Sequence, residues 1–247
     1  NAIKYVSHAR GLDDLAVDNR PLKGQALAIA VSARGDLTRG MPVVETTDLA
    51  FKAGWDTVAG KDKETEYSMI KKIYGSEKAG YHHEYEGKAL ATVLQENNIA
   101  IMDCLGLCKL LIWGSFVMYD FFVPSESLVP SCDFHNLNLP KELFSAVTGI
   151  DVSNEELHNV AERIITLKRA FNVREGITRR DDTVAQKYFE VPVPEGMHKE
   201  EKLDREEFER MKDQYYELRG WDVTSGIPTG KRLEELDLKS IDKNIIK

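Results

Sequence analysis

The sequence predicts an all-α protein, an irregular multi-helix assembly with little or no β-sheet. Apolar residues recur at three- and four-residue steps in several segments, which is the pattern of amphipathic helices. Residues that favour helix starts and ends stand at the limits of these segments. The one segment that alternates like a strand, YFEVPVP, contains Pro192 and Pro194, which favour an extended loop over a strand.

Segments 153–171 and 204–220 carry the clearest helical patterns. Each begins with a Ser or Asp three residues before a Glu, an arrangement that caps a helix N-terminus. The second segment ends at Gly220, a residue favoured where a helix stops. Each is predicted to be a helix with one buried apolar stripe, which in the first runs to Leu167 and Phe171. The capping pairs are Ser153 with Glu156 and Asp204 with Glu207.

Three further helices are predicted in the first half of the chain. Segment 21–35 begins with Pro21, which is favourable in a first helical turn, and segment 64–75 ends in a glycine. The run 99–123 is the most apolar of all but contains three charged residues. We therefore expect a buried central helix there rather than a membrane span.

Composition and charge bound the class of protein. The chain has 247 residues, of which 42% are hydrophobic and 30% charged, with a formal net charge of −8. The acidic balance argues against nucleic acid or an anionic membrane as the main partner. The start of the chain lacks an apolar signal segment, and three cysteines without framework spacing fit a reducing compartment. A cytoplasmic protein is predicted.

The chain is expected to be a piece of a longer protein. It begins without Met, and Asn1 and Ala2 look like the remnant of an expression tag. Two helical lobes, 3–150 and 151–247, are predicted with a soft boundary near Gly149. One continuous domain is the alternative.

The stretch NNIAIMDCLGLCKLLIW, residues 97–113, places Asp103 in an apolar run. Burying an unpaired carboxylate costs several kcal/mol, so Asp103 is expected to have a partner. A carboxylate accepts two N–H groups from one planar partner, such as the amino-pyrimidine edge of a pterin or an arginine. If a helix begins near Asp103, Leu107 lies one turn away, and Gly106 lets a flat ligand approach the backbone.

Cys108, five residues after Asp103, adds a second possible ligand group to this stretch. A thiolate at this position suits iron or zinc. A cysteine in an apolar helix is, however, more often an inert core residue. Spacing alone leaves these alternatives open.

The motif DCLGLC resembles the Asp-x-x-Gly-Leu-Cys motif of the aldehyde ferredoxin oxidoreductase family. The members of that family are tungsten enzymes with a bis-pterin cofactor and a [4Fe–4S] cluster. Three more blocks are similar to family segments in the same order, so that the resemblance spans nearly the whole chain. These blocks are RPLKGQALAIAVSARGDLTRG, AFNVREGITRRDDTVAQKYF and YYELRGWDVTSGIPTGKRLEELDL.

The resemblance implies that this chain is the helical C-terminal part of such an enzyme. At matching positions, Asp103 and Leu107 would contact a pterin, and Cys108 would be the last of four cluster ligands. Arg34 and Arg39 match basic positions that act on the pterin or its phosphate, a role that suits a guanidinium. Two solvated arginines at a helix end are the alternative.

The resemblance also implies cofactors and partners. The full enzyme would interconvert aldehydes and carboxylic acids, with tungstopterin, a [4Fe–4S] cluster and ferredoxin as electron partner. A [4Fe–4S] cluster needs four thiolates, and the C-x₂-C-x₃-C run that supplies three in the family is missing from this sequence. This chain alone is therefore expected to hold neither cofactor and to be inactive without its own N-terminal region. Cys104 and Cys132 receive no role.

Two other functions stay open. The segment RGDLTRG, 34–40, lacks the histidine that the family's aldehyde oxidisers usually carry there, which leaves the substrate class open to another carbonyl compound such as an aromatic acyl-CoA thioester. A non-catalytic helical interaction module is the alternative of another class.

Two charged clusters are assigned structural roles. In GYHHEYEG, residues 80–87, His82 and His83 lack the helical spacing of paired zinc ligands, and a surface loop is predicted. The run RRDD, 179–182, is interpreted either as a local ion pair or as part of the wall of a substrate channel.

Overall fold

The computed structural model describes residues 6, 8–9, 12–13, 18–34, 43–56, 61–107 and 138–241. Within these ranges the regular elements are helices and one short antiparallel pair, in which strand β1 (His8–Ala9) meets strand β2 (Leu12–Asp13). The predicted all-α class, with little β-structure, is confirmed.

In the described ranges, the helices follow one another along the chain as α1 (Lys23–Val31), α2 (Thr47–Lys52), α3 (Lys63–Tyr74), α4 (Lys88–Cys104), α5 (Asn138–Thr148), α6 (Asn154–Arg174), α7 (Lys187–Glu190), α8 (Arg205–Arg219) and α9 (Gly230–Glu235). Three 3₁₀ turns lie at Val43–Thr46, Glu77–Gly80 and Arg179–Asp181.

The predicted caps of α6 are confirmed. The Ser153 side chain accepts a hydrogen bond from the Glu156 backbone N–H at 3.1 Å. The Glu156 carboxylate accepts one in return from the Ser153 backbone N–H at 2.7 Å. Two of the backbone donors that a helix start leaves unpaired are thereby satisfied.

The predicted caps of α8 are confirmed only in part. Asp204 accepts from the Glu207 backbone N–H at 3.0 Å, and Gly220 ends the helix with a φ of +69°. The Glu207 carboxylate accepts from Arg210 at 2.9 Å. The local pattern thus located both ends of the helix.

Helix α4 is the centre of the fold, because α1, α6 and α8 all pack against it. The largest apolar cluster joins α1, α4, α7 and α8. A second cluster packs α3 and its neighbours on the N-terminal part of α4, and a third joins the end of α4 to the start of α6. Every face of α4 except its exposed C-terminal corner is therefore used in packing.

The end of α4 contradicts the prediction of one buried helix over 99–123. The Leu107 backbone N–H donates to the Met102 carbonyl at 2.9 Å, and that of Gly106 donates to the Asp103 carbonyl at 3.2 Å. This pair of bonds is a Schellman motif, and its left-handed residue is Gly106, with a φ of +69°. The glycine stops the helix because its conformation cannot continue an α-helix.

Two other predicted boundaries differ from the structure. Pro21 lies before α1, whose N-cap position is Leu22. The predicted extended segment 188–194 begins instead inside α7, where Tyr188 and Phe189 are buried in the largest apolar cluster. Among the described helices, none combines the length and the apolar character that a membrane crossing requires.

Candidate functional site

A cleft of about 650 Å³ opens between the end of α1, the C-terminal half of α4 and the C-terminal half of α6. We refer to it as the α4–α6 cleft. Its polar side chains include Arg34, Asp103, Lys168 and Asn172, and its apolar side chains include Ile99, Leu167 and Phe171.

Two of the predicted cofactor-binding residues meet in this cleft. Asp103 lies in the last turn of α4, and Arg34 follows the end of α1. Both side chains are exposed, so the expectation that the apolar run buries Asp103 is wrong. The apolar face of α4 carries its neighbours Ile101 and Met102, whereas Asp103 lies on the solvent side.

The structure gives less information on the other predicted site residues. Leu107 is half-buried and lies just beyond the Schellman turn. Arg39, Cys108 and Cys132 lie outside the described residues, as does the run 108–123 of the predicted central helix. Cys104, at the end of α4, is an exposed free thiol.

The apolar wall of the cleft was not predicted. Leu167 and Phe171 of α6 are 47% and 55% exposed, although the sequence pattern assigned both to a buried stripe. Within the stripe, Leu157 is buried and Ile164 packs against the same cluster at the end of α4, whereas Val160 is also 42% exposed. Exposed aromatic and aliphatic side chains beside charged ones are typical of a binding surface.

A side-chain amide sets the position of the cleft walls. The Asn172 Nδ2 donates to the Ala33 carbonyl at 2.8 Å, which joins α6 to the end of α1. Asn172 belongs to the family-like block that begins at Ala170, so the sequence did contain a signal for it. The residue after Ala33 is Arg34, and this bond therefore fixes the backbone from which Arg34 projects.

A buried arginine lies below the cleft floor. Arg219 Nη2 is 2.6 Å from a carboxylate oxygen of Glu96, and Arg219 Nη1 is 2.7 Å from one of Glu162. Arg219 Nη1 also donates to the Asn97 side-chain carbonyl at 2.7 Å, and the Tyr215 hydroxyl donates to Glu96 at 2.5 Å. Helices α4, α6 and α8 thus meet on one guanidinium.

The two carboxylates of this group have opposite pKa shifts. Burial raises the pKa of Glu96 despite the attraction of Arg219. Burial also acts to raise the pKa of Glu162, but Arg219, Asn97 and Arg232 outweigh it, and the pKa is lowered. The same surroundings raise the pKa of Arg219, so that it stays charged.

The run RRDD forms long-range contacts, and its interpretation as a local ion pair is wrong. Arg179 lies 2.7 Å from Glu209 and 2.5 Å from Asp213, both on α8. Asp182 is fully buried and lies 2.8 Å from Arg169 on α6. These partners lie between 13 and 34 residues away along the chain.

Asp182 is held by α6 and α8 together. It accepts hydrogen bonds from Arg169 at 3.0 Å and from the Tyr216 hydroxyl. Arg169 Nε also donates to the Gly226 carbonyl at 2.8 Å. The family-like blocks 170–189 and 215–238 therefore contribute to one buried network.

Comparison with known proteins identifies the family. The model of the family described as "Aldehyde ferredoxin oxidoreductase, domains 2 & 3" matches residues 1–238. The chain belongs to this family of oxidoreductases, in its helical C-terminal part, as the sequence blocks predicted.

Curated relatives cover part of the chain. The tungsten-containing aldehyde ferredoxin oxidoreductase of Pyrococcus furiosus is 30% identical over 158 residues, which are 64% of this chain and 22% of that protein. The enzyme of the same name from Thermococcus kodakarensis is 28% identical over 158 residues, again 64% of this chain and 22% of that protein. The match spans about a fifth of either relative.

A solved structure shares the fold. The active site complex BamBC of benzoyl coenzyme A reductase, in complex with 1,5-dienoyl-CoA, superposes with a TM-score of 0.57. The match covers 95% of this chain and 33% of that chain at 21% sequence identity. It establishes the arrangement of helices and nothing about the substrate of this protein.

Proposed function

We propose that this chain is the C-terminal part of a tungstopterin and [4Fe–4S] oxidoreductase that interconverts aldehydes and carboxylic acids with ferredoxin as electron partner. The observation that carries the proposal is the α4–α6 cleft, where Asp103 and Arg34 lie on one surface although they are 69 positions apart in the sequence. The two residues belong to separate family-like blocks.

The side chains of the cleft suit a pterin. Its amino-pyrimidine edge offers paired N–H donors, which a carboxylate such as Asp103 accepts. Its phosphate suits a guanidinium or ammonium group, which Arg34 and Lys168 supply. The exposed Phe171 ring offers an apolar surface to a flat heterocycle. The Glu96 carboxylate also lines the cleft, where its charge is already paired with Arg219.

Each predicted residue has a role in this proposal. Asp103 accepts hydrogen bonds from the pterin edge, and Leu107 contacts the same ring system. Arg34 and Arg39 donate to the pterin or its phosphate. Cys108 supplies one of four thiolates to the cluster. When bound, the tungsten centre supplies the two-electron chemistry on the substrate, and the cluster passes electrons singly to ferredoxin.

Protein outside this chain completes the site. Three cluster thiolates and the second face of the pterin come from the protein's own N-terminal region in this proposal. The exposed apolar wall at Leu167 and Phe171 agrees with a surface that another part of the protein covers. The chain alone is accordingly proposed to be inactive.

The test uses the complete native protein, produced without oxygen in the presence of tungstate. Tungsten and iron contents, visible absorbance and aldehyde-dependent reduction of ferredoxin are measured. We expect Asp103→Asn to lower the tungsten content, and Cys108→Ser to lower the iron content. Asp151→Asn, at an exposed acid before α6, is the matched control and is expected to retain both. A complete protein without tungsten and iron would overturn the proposal.

A second substrate class rests on one observation. The segment RGDLTRG, 34–40, contains Asp36 and Thr38 and no histidine. A site without that acid–base group suits reduction of another carbonyl compound, such as an aromatic acyl-CoA thioester. Activity of the complete enzyme on a thioester but on no aldehyde would favour this alternative, and the opposite result would exclude it.

A further inference from the structure

We propose that Asp48, His82 and His83 form a binding site for a divalent transition-metal ion, with zinc as the expected occupant. The proposal is independent of the α4–α6 cleft, whose lining contains none of these residues. Asp48 lies on α2, and the two histidines lie in the loop that leads into α4.

The three residues bring ligand atoms close together. One carboxylate oxygen of Asp48 and one ring nitrogen from each histidine lie within 4.8 Å of one another. Nitrogen and oxygen ligands bind zinc at about 2.0–2.2 Å, so two ligands of one ion stand no more than about 4.4 Å apart. Small side-chain rotations close that difference. Two imidazoles and a carboxylate are a ligand set that zinc and iron use in proteins.

Two of these residues are buried and already face each other. Asp48 is 3% exposed and His82 is 4% exposed. His82 Nδ1 lies 2.7 Å from Asp48 Oδ1, and the His82 backbone N–H donates to the same oxygen at 3.3 Å. In the proposed site, metal binding would release the proton shared by this pair, so that both residues could act as ligands.

A third histidine supplies an independent observation. The His198 ring lies 4.9 Å from the His82 ring, edge to face. Its Nδ1 atom is buried and has no hydrogen-bond partner among the described residues. A buried ring nitrogen without a partner is costly, and an ion bound at this cluster would give it one. His198 is therefore proposed as a further ligand, beside the three residues whose ligand atoms already lie within 4.8 Å of one another.

Two lysines lie near the cluster, and their positive charges disfavour a bound cation. Their positions nonetheless allow a cation to bind. Lys52 Nζ lies 3.0 Å from Asp48 Oδ2, but the Lys52 side chain is 50% exposed and can turn to solvent. Lys88 is buried nearby, where it donates to the Ala79 and Tyr81 carbonyls and lies 3.6 Å from Glu45. The Glu45 carboxylate balances the Lys88 charge.

The sequence pattern did not reveal this site, and the prediction that 80–87 is a surface loop is wrong for His82. Adjacent histidines lack the helical spacing of paired zinc ligands, and the carboxylate stands 34 residues upstream. The ion would join α2, the loop before α4 and the loop 196–201. Its proposed role is to hold these three segments together.

The test measures metal binding by this chain with Co²⁺ as a spectroscopic probe. Thiols are first alkylated, so that Cys104 and the other cysteines cannot bind the probe. We expect the wild type to develop the visible bands of Co²⁺ in a nitrogen and oxygen site, and Zn²⁺ to abolish them by displacement. Zn²⁺ is also expected to raise the thermal unfolding temperature.

Variants then identify the ligands. His83→Gln changes a 41% exposed side chain, so the fold is retained, and we expect binding to weaken by about 10-fold or more. His158→Gln, at a half-buried histidine of α6, is the matched control and is expected to bind like the wild type. Lys52→Gln removes the competing charge and is expected to tighten binding.

Two results would overturn the proposal. One is a wild-type chain with blocked thiols that develops no Co²⁺ bands. The other is binding that His83→Gln and His158→Gln weaken equally or not at all.

Discussion

Arg219 Nη2 lies 2.6 Å from Glu96 Oε2, and neither side chain is exposed to solvent by more than a few per cent. The guanidinium comes from α8 and the carboxylate from α4, so their contact crosses the centre of the fold. Glu162 adds a second carboxylate from α6. Breaking one side of such a buried group leaves a charge without its partner.

Glu162→Gln is expected to destabilise the chain by about 3 kcal/mol at neutral pH, because Arg219 and Arg232 each lose a carboxylate. The pKa of Glu162 is lower in the folded chain than its ordinary value of 4.5. Its stabilising contribution is therefore present above pH 4.5 and is lost as the pH falls below it. Urea unfolding of both proteins across this range measures the difference.

We expect the stability difference between wild type and Glu162→Gln to shrink on acidification. The control is Glu155→Gln, an exposed acid in the first turn of α6, which is expected to change stability by well under about 1 kcal/mol. A difference that stayed constant down to strongly acidic pH would contradict the role given to Glu162.

Asp182→Asn is expected to destabilise the chain by about 3 kcal/mol, because Arg169 would keep a buried charge without its carboxylate. Asp213→Asn is the comparison. Its side chain is 49% exposed and pairs with Arg179, and the expected loss is under about 1 kcal/mol. Thermal unfolding of the two variants distinguishes them, and equal losses would argue against the buried network.

Gly106→Ala is expected to cost about 1–2 kcal/mol, because an alanine is strained at a φ of +69°. A Cβ atom there would meet nothing within 4 Å among the described residues, so the cost is conformational rather than steric. Gly106→Asn is expected to cost less, since asparagine tolerates the left-handed region. Chemical unfolding measures both, and identical losses would indicate another cause.

Phe171→Ala is expected to change the stability of this chain by less than about 1 kcal/mol, because the ring is 55% exposed. Its ring contact with the Arg174 guanidinium, at 4.7 Å, is of the kind that contributes little at the surface. Phe208→Ala removes a fully buried ring and is expected to cost about 3–5 kcal/mol. Denaturant midpoints compare the two, and a large loss for Phe171→Ala would mean that the cleft wall is a packed core.

The sequence predicted those parts of the fold that depend on neighbouring residues. Ser153, Glu156 and Asp204 cap helices where their spacing indicated, because a cap forms within one turn of chain. The family-like blocks led to the correct family for the same reason, since each block is a continuous run of residues.

The predictions that the structure contradicts concern residues whose environment depends on partners distant in the chain. Leu167 and Phe171 fit an apolar stripe, but the periodicity cannot show where a partner helix ends. His82 was assigned to a surface loop, because Asp48 and His198 come from remote segments. The roles of Asp103, Leu107, Arg34, Arg39 and Cys108 stay predictions, and two of these residues lie outside the described ranges.

The amide of Asn172 gives the cleft a defined width. Asn172 Nδ2 donates to the Ala33 carbonyl at 2.8 Å, so an outward movement of α6 would break this hydrogen bond. Binding of a thicker ligand would therefore break this hydrogen bond, whereas a flat ligand would leave it in place. Under the proposed function, Asn172 thus restrains the spacing between the two walls of the cleft, which suits a flat ligand.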